Sequence, residues 1–325
     1  MDHGRAVVIY FLGIISGVCI LPAVLFTHEH LLPRPAKTPA PPTVGPSPNE
    51  LWPTAVAPGQ MEDLKECGLP RIWLHLDAPS QLPYEKLDTY QPGSGRFKGQ
   101  AGQDRWVDQV LQSRRKLFVV ESGALNGINH SNSIFFETER DWECLLVEAN
   151  PYLWPEVRAR HRKCFFLSGG LSITKAREDF PFKLAGPLGG FTATMGAAHA
   201  QRAKAEIARQ APWMKGKQST GEVIRVNAFP LDHVLGALNQ SVVDYWSLDT
   251  EGSELQILKG SGLENIELGV LTVEHNNEKE KRDEIKEFLQ QHGIQRVRAG
   301  GQDDFYANPS YFHRRGWPFP ETSSP

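Results

Sequence analysis

The apolar positions of this chain fall into short runs rather than long stripes. Leu117-Phe-Val-Val120 and Leu145-Leu-Val147 are continuous, and each is closed by an acid, Glu121 and Glu148. Short apolar runs of this kind predict strands buried on both faces. Between them, Ile134, Phe135 and Phe136 suit a helix packed on the sheet. Val242–Leu248 is a third buried strand, ending in Asp249-Thr-Glu251, and Gly260 stops the helix that follows. Cys164-Phe-Phe-Leu167 and Gly269–His275 predict two more strands. Ile294–Val297 and Asp304–Ala307 predict an antiparallel pair closing the sheet. Helices are expected at Asp104–Leu111 with Trp106 in the core, at Pro151–Lys163 with Trp154 and Val157 inward, and from Asn277 to His292. The last would open on a capping-box variant, Asn277 with Glu280, and bury Ile285, Phe288 and Leu289. Arg71–Asp77 reads as a short strand or a lead-in. Strands alternating with helices predict a doubly wound, Rossmann-like α/β domain.

Flanking patterns divide the rest. Residues 1–5 are a short tail. Ala6–Phe26 is uncharged and mostly apolar, and as a helix would span about 30 Å, the thickness of a bilayer core. A retained signal-anchor is favoured over a cleaved signal peptide, because Leu21-Pro22-Ala23 is a poor small-x-small site. Residues 27–66 are rich in proline and predict an extended stalk or linker. Residues 67–313 hold the α/β domain, and 314–325 a loose tail. Inside the domain, Gly169–Val226 reads as long and irregular. Its basic run, Gln201–Lys217, is either a solvated helix face or part of a lid over a cleft favouring an anionic acceptor.

The chemistry gathers at predicted strand ends. Gly123 and Gly127 follow the first strand, where glycine permits a tight turn and close approach of a ligand. Glu148 falls 27 residues beyond Glu121, about where dinucleotide-type folds place an acid on ribose hydroxyls. Asp249 and Glu251 end a second central strand and face the same crevice. They serve catalysis or cap the next helix, where anions are favoured. His275 ends a further strand; it is a candidate base at neutral pH or a structural histidine.

Four segments together resemble the FkbM-type family of S-adenosylmethionine-dependent methyltransferases: Glu121-Ser-Gly-Ala-Leu-Asn-Gly127 with Ser131-Asn-Ser133, Leu145-Leu-Val-Glu-Ala-Asn-Pro151, Tyr245-Trp-Ser-Leu-Asp-Thr-Glu-Gly252 and Val273-Glu-His-Asn276. The likeness covers about Gly102 to Asn308, and the layout is similar to membrane-anchored, Star-like animal members. It implies a class I methyltransferase sheet and S-adenosyl-L-methionine as cofactor. It places cofactor contacts at Glu121, Gly123, Ala124, Gly127, Ser131, Glu148, Ala149, Asn150 and Asp249. Proton removal from a hydroxyl acceptor would fall to Asp249, Glu251 or His275. Many soluble members carry Asp where this chain has Glu121. The expected activity is O-methylation of a glycan or other hydroxyl acceptor in the endoplasmic reticulum or Golgi, from a single-pass type II protein. The alternative is an inactive relative binding a luminal protein partner.

Charge and cysteine content add little. The net charge of −3 gives no global sign of nucleic-acid binding, and no cysteine spacing suggests a metal. Cys144 and Cys164 open neighbouring strands, as a bridge or as two buried thiols. Asn129 and Asn239 begin glycosylation sequons. Asn239, ahead of a strand, is the expected site; a glycan on Asn129 would crowd the cleft.

Overall fold

The computed structural model describes the backbone of residues 7–9 and, beyond it, residues 74–85, 87, 91–209 and 217–321. Most of the expected anchor, the whole stalk and the end of the tail lie outside the described residues. No helix among the described residues is long and apolar enough to cross a membrane.

The elements in chain order are β1 (Val7–Ile9), β2 (Leu74–Asp77), α1 (Gln103–Val110), β3 (Phe118–Ser122), α2 (Ile134–Arg140), β4 (Glu143–Glu148), α3 (Trp154–Arg158), β5 (Phe165–Ser168), β6 (Gly170–Leu171), β7 (Glu178–Lys183) and β8 (Gly190–Phe191). They continue with α4 (Ala197–Arg209), β9 (Val223–Phe229), α5 (Leu231–Ala237), β10 (Val242–Leu248), α6 (Glu254–Gly260), β11 (Glu267–Glu274), α7 (Lys279–Gln291), β12 (Gln295–Ala299), β13 (Asp303–Ala307) and α8 (Pro309–Arg314). The main sheet has the order β1-β2-β5-β4-β3-β10-β11-β13-β12. Strands β5, β4, β3, β10 and β11 are parallel, and β13 enters antiparallel between β11 and β12. The chain winds from β3 out to β5, then returns to start again at β10 beside β3. The switch point therefore lies between β3 and β10, where open α/β sheets bind their ligands.

Burial on both faces explains the unbroken apolar runs. Val120, Leu145, Val147 and Trp246 pack on one side with Leu235, Leu258, Ile285 and Leu289 from α5, α6 and α7. Val119, Leu146 and Tyr245 pack on the other with Val107, Phe135, Phe136, Val157 and Phe312 from α1, α2, α3 and α8. Neighbouring residues on one strand thus feed two separate cores. Trp106 is half-buried and meets Phe305 edge-on at 4.8 Å.

Three expectations change. The segment predicted as irregular folds into a second sheet, ordered β6-β9-β7-β8, with α4 beside it. Phe180, Phe182 and Leu184 alternate inward along and just beyond β7, and Val226 and Ala228 along β9. The expected capping box does not form: α7 starts after Glu278 with no side-chain cap, and the Asn277 N–H turns back to His275. The helix expected over Pro151–Lys163 is reduced to Trp154–Arg158. Cys144 and Cys164 form a disulfide joining β4 to the residue before β5, with Cα atoms 4.6 Å apart.

Candidate functional site

The glycine turn ties three strand ends together. Gly123 adopts φ 92°, and a Cβ placed there would lie 1.8 Å from the Asp249 carbonyl oxygen. Only glycine allows this approach. The N–H groups of Gly123 and Ala124 both donate to Val147 at 3.0 Å, and Asp249 N donates to Ser122 O at 3.1 Å. The cleft therefore opens over the carboxyl ends of β3, β4 and β10.

Glu121 works from beneath the turn. Its carboxylate accepts the Asn132 N–H at 2.7 Å, the Ser131 hydroxyl at 2.8 Å and the Ser133 hydroxyl. Arg162, buried behind the loop, pairs with Glu137 and donates to the Gly127 carbonyl and, at 2.9 Å, to Ser133 Oγ. A buried Arg–Glu pair thus fixes the loop that satisfies Glu121.

Glu148 ends β4 on the cleft wall. Its oxygens accept N–H bonds from Leu125 and Asn150, each at 2.7 Å. Burial is the dominant influence on its pKa and pushes it to about 7, against the lowering effect of those bonds.

At the end of β10 and β11, Asp249, Glu251 and Glu274 bring carboxylate oxygens within 4.8 Å of one another. The same spacing would suit carboxylate ligands of a divalent cation. Burial first, then repulsion from neighbouring acids, raises Asp249 to about 7 and Glu251 to about 8. Neither Asp249 nor Glu251 caps α6, whose N-terminus has no side-chain cap; Glu254, its first residue, instead holds the amides of the loop before it. Its fully buried carboxylate accepts from Thr250 N at 2.9 Å and Gly252 N at 3.1 Å, and pairs with Lys281 at 2.5 Å. Arg202 of α4 approaches Glu251 at 3.7 Å.

Of the residues singled out in the sequence, Glu121, Gly123, Glu148, Ala149, Asp249 and Glu251 line the cleft. Ala124, Gly127, Ser131, Asn150 and His275 do not. Ala124 lies in the core, Ser131 and the Asn150 N–H serve the two glutamates, and Gly127 turns the loop at φ 81°. His275 is buried and faces elsewhere. Its Nδ1 accepts the Asn277 N–H at 3.1 Å, so the neutral ring carries its proton on Nε2, 3.6 Å from Asp304. This leaves no free nitrogen lone pair for an acceptor proton.

Sequence reading missed the wall contributed by the second sheet. Phe182 and Phe191 line the cleft, as do Pro187 and Gly189 between them. It also missed Asn132, Ser247 and the structural importance of Glu254 and Glu274. Glu274 shared the strand-end signal that drew attention to His275. Asn129 lines the cleft, whereas Asn239 is exposed in the turn between α5 and β10.

Among solved structures, the precorrin-6y C5,15-methyltransferase of Geobacter metallireducens aligns at 11% identity and TM-score 0.33, covering 67% of this chain and 92% of that one. The METTL16 MTase domain aligns at 10% identity and TM-score 0.33, covering 62% and 64%. No curated protein sequence matches the chain. The methyltransferase FkbM domain model matches residues 121–295, from the acid ending β3 to the start of β12. That span takes in the glycine turn, Glu148, the carboxyl cluster and the second sheet, and the chain belongs to the FkbM methyltransferase domain family.

Proposed function

We propose that this protein is an S-adenosylmethionine-dependent O-methyltransferase that modifies a glycan or other hydroxyl acceptor in the secretory pathway. The observation that carries the reading is Asp249: its carboxyl lines the cleft at the switch point, beside the glycine turn, with a pKa near neutrality. A general base is most effective when its pKa lies near the working pH. Asp249 would take the acceptor's hydroxyl proton, and Glu251 would orient the acceptor from the same loop.

The cleft fits the cofactor. The Gly123 turn lines the cleft and lets the Asp249 backbone approach it closely, where any Cβ would collide. Glu148 stands where ribose hydroxyls would donate to it, and the buried Asn132 carries a side-chain oxygen with no hydrogen-bond partner. Phe182 and Phe191 offer apolar surface for a base. When bound, S-adenosylmethionine supplies an electrophilic methyl group on sulfur. The residues bind, orient and remove the proton; in-line positioning supplies most of the rest.

Two features support a luminal setting for a membrane-anchored protein. A disulfide between β4 and β5 belongs to an oxidising compartment, and the Asn239 sequon is exposed at the sheet end away from the cleft. Calorimetric titration of the full chain with S-adenosylmethionine tests the cofactor reading. Binding that Glu148→Ala abolishes, followed by release of S-adenosylhomocysteine with hydroxyl-bearing sugars, supports it. A folded protein that binds none removes it, and a luminal partner-binding role becomes the better account.

A further inference from the structure

Helix α4 is fastened to the loop that follows β10. His199 is buried, and its Nε2–H donates to the Leu188 carbonyl at 2.9 Å. The other ring nitrogen, Nδ1, faces Gly252, where a Cβ would lie 2.9 Å from it. Gly252 adopts φ 105°, so glycine is what lets the helix come this close. Ahead of the helix, the hydroxyl oxygens of Thr194 and Ser253 share a hydrogen bond at 2.6 Å. Arg202, one turn beyond His199, is thereby carried over Glu251, with Nη2 3.7 Å from Oε2. That is an ion pair without a hydrogen bond. Nε and Nη2 of Arg202 and Oε2 of Glu251 are shielded from solvent, and none of the three has a hydrogen-bond partner among the described residues. Elsewhere in the molecule the same guanidinium edge is paired: Arg140 grips Asp108, and Arg282 grips Asp304, through Nε and Nη2 at 2.6 to 2.8 Å.

Buried polar groups left unpaired are rare and costly, so a donor edge and an acceptor oxygen that face each other unpaired beside a cleft call for a ligand. Glu251 lines the cleft, and the Arg202 side chain is 36% exposed, so rotation of an outer side chain admits a ligand to the pair. The group that fits accepts from the guanidinium and donates to the carboxyl oxygen. A hydroxyl does both, whereas a carboxylate or phosphate only accepts and would leave Oε2 without a donor. We propose that Arg202 and Glu251 together hold a second hydroxyl of the acceptor, next to the one presented to Asp249. The site thereby selects acceptors with neighbouring hydroxyls, as on a sugar ring. Asp249 and Glu251 bring carboxylate oxygens within 4.8 Å of each other, which suits hydroxyls on adjacent carbons. Arg202 is thus a specificity-determining residue on α4, outside the main sheet. The inference rests on the reading of this cleft as that of a hydroxyl methyltransferase.

The test begins without an acceptor. Arg202→Met keeps an unbranched apolar stem and removes the guanidinium. The full-chain variant should melt at or above the wild-type temperature, because an unpaired polar edge has been removed from the interior. A clear fall in melting temperature makes Arg202 a structural partner of Glu251 and overturns the inference. The second arm offers methyl hexosides with S-adenosylmethionine, reads release of S-adenosylhomocysteine, and then takes the monodeoxy forms of the hexoside that turns over. In wild type, the deoxy form that lacks the neighbour of the methylated hydroxyl should lose about 10- to 100-fold in kcat/KM, the range for a hydrogen bond to a charged group. Arg202→Met should lose as much on the parent hexoside, little more on that deoxy form, and nothing in cofactor affinity by calorimetry. Losses that multiply show two independent effects and overturn the inference, as does turnover confined to a hexuronate. A wild type that binds cofactor and turns over none of the sugars overturns the hydroxyl-acceptor reading together with it. Turnover untouched by Arg202→Met overturns the inference alone.

Discussion

Replacing Glu148 with Gln keeps the shape of the predicted ribose-binding acid and removes its charge. In the folded protein its pKa rises from 4.5 to about 7, driven by burial. The folded state therefore binds the extra proton between those values, and stability from this group falls as pH rises through that window. The rise corresponds to about 3 kcal/mol. Gln carries no charge and avoids that loss, but it has a cost of its own. Both Glu148 oxygens accept backbone N–H groups, and Gln offers a single acceptor oxygen. One N–H is then left facing an NH₂ group, at about 1–3 kcal/mol at any pH. The variant should be less stable than wild type near about pH 5 and equal or more stable near about pH 8. Urea unfolding of both proteins across that range measures the difference. A difference that stays constant with pH refutes the burial argument. Cofactor affinity of wild type should meanwhile increase as pH rises through about 7, because ribose hydroxyls donate best to the ionised carboxylate.

Other perturbations probe the scaffold. Arg162→Met leaves Glu137 charged and buried and frees the loop carrying Ser131 and Ser133, so unfolding free energy should drop by about 3–5 kcal/mol; a loss under about 1 kcal/mol in denaturant melts would show the pair to be dispensable. Gly123→Ala must relieve both a left-handed φ and the overlap with Asp249 O, at about 2 kcal/mol or more. Calorimetry should show cofactor affinity falling with it, and an unchanged affinity would mean the turn does not shape the cleft. In protein from eukaryotic cells, glycosidase treatment should shift the mass, and Asn239→Gln should remove the shift while Asn129→Gln does not. A shift that persists without Asn239 places the glycan elsewhere.

The sequence by itself determined the main sheet and where its chemistry would gather. Strands buried on both faces leave runs such as Leu117–Val120 and Leu145–Val147, which need no partner to be recognised. Glycines at Gly123 and Gly127 and acids at Glu121, Glu148 and Asp249 mark strand ends by local order alone. The second sheet was harder to read, because β6 and β8 are two residues each and β7 carries Pro181. Only the tertiary structure decided what each polar group does. Glu254, not Asp249, holds the loop amides; His275 turns its ring to Asp304; Cys144 meets Cys164; and Arg162 reaches back to a loop some thirty residues earlier. A strand announces itself through its own neighbours in sequence. The charge, proton and partner of a buried carboxyl are set by groups on other strands and helices, which share no local pattern with it.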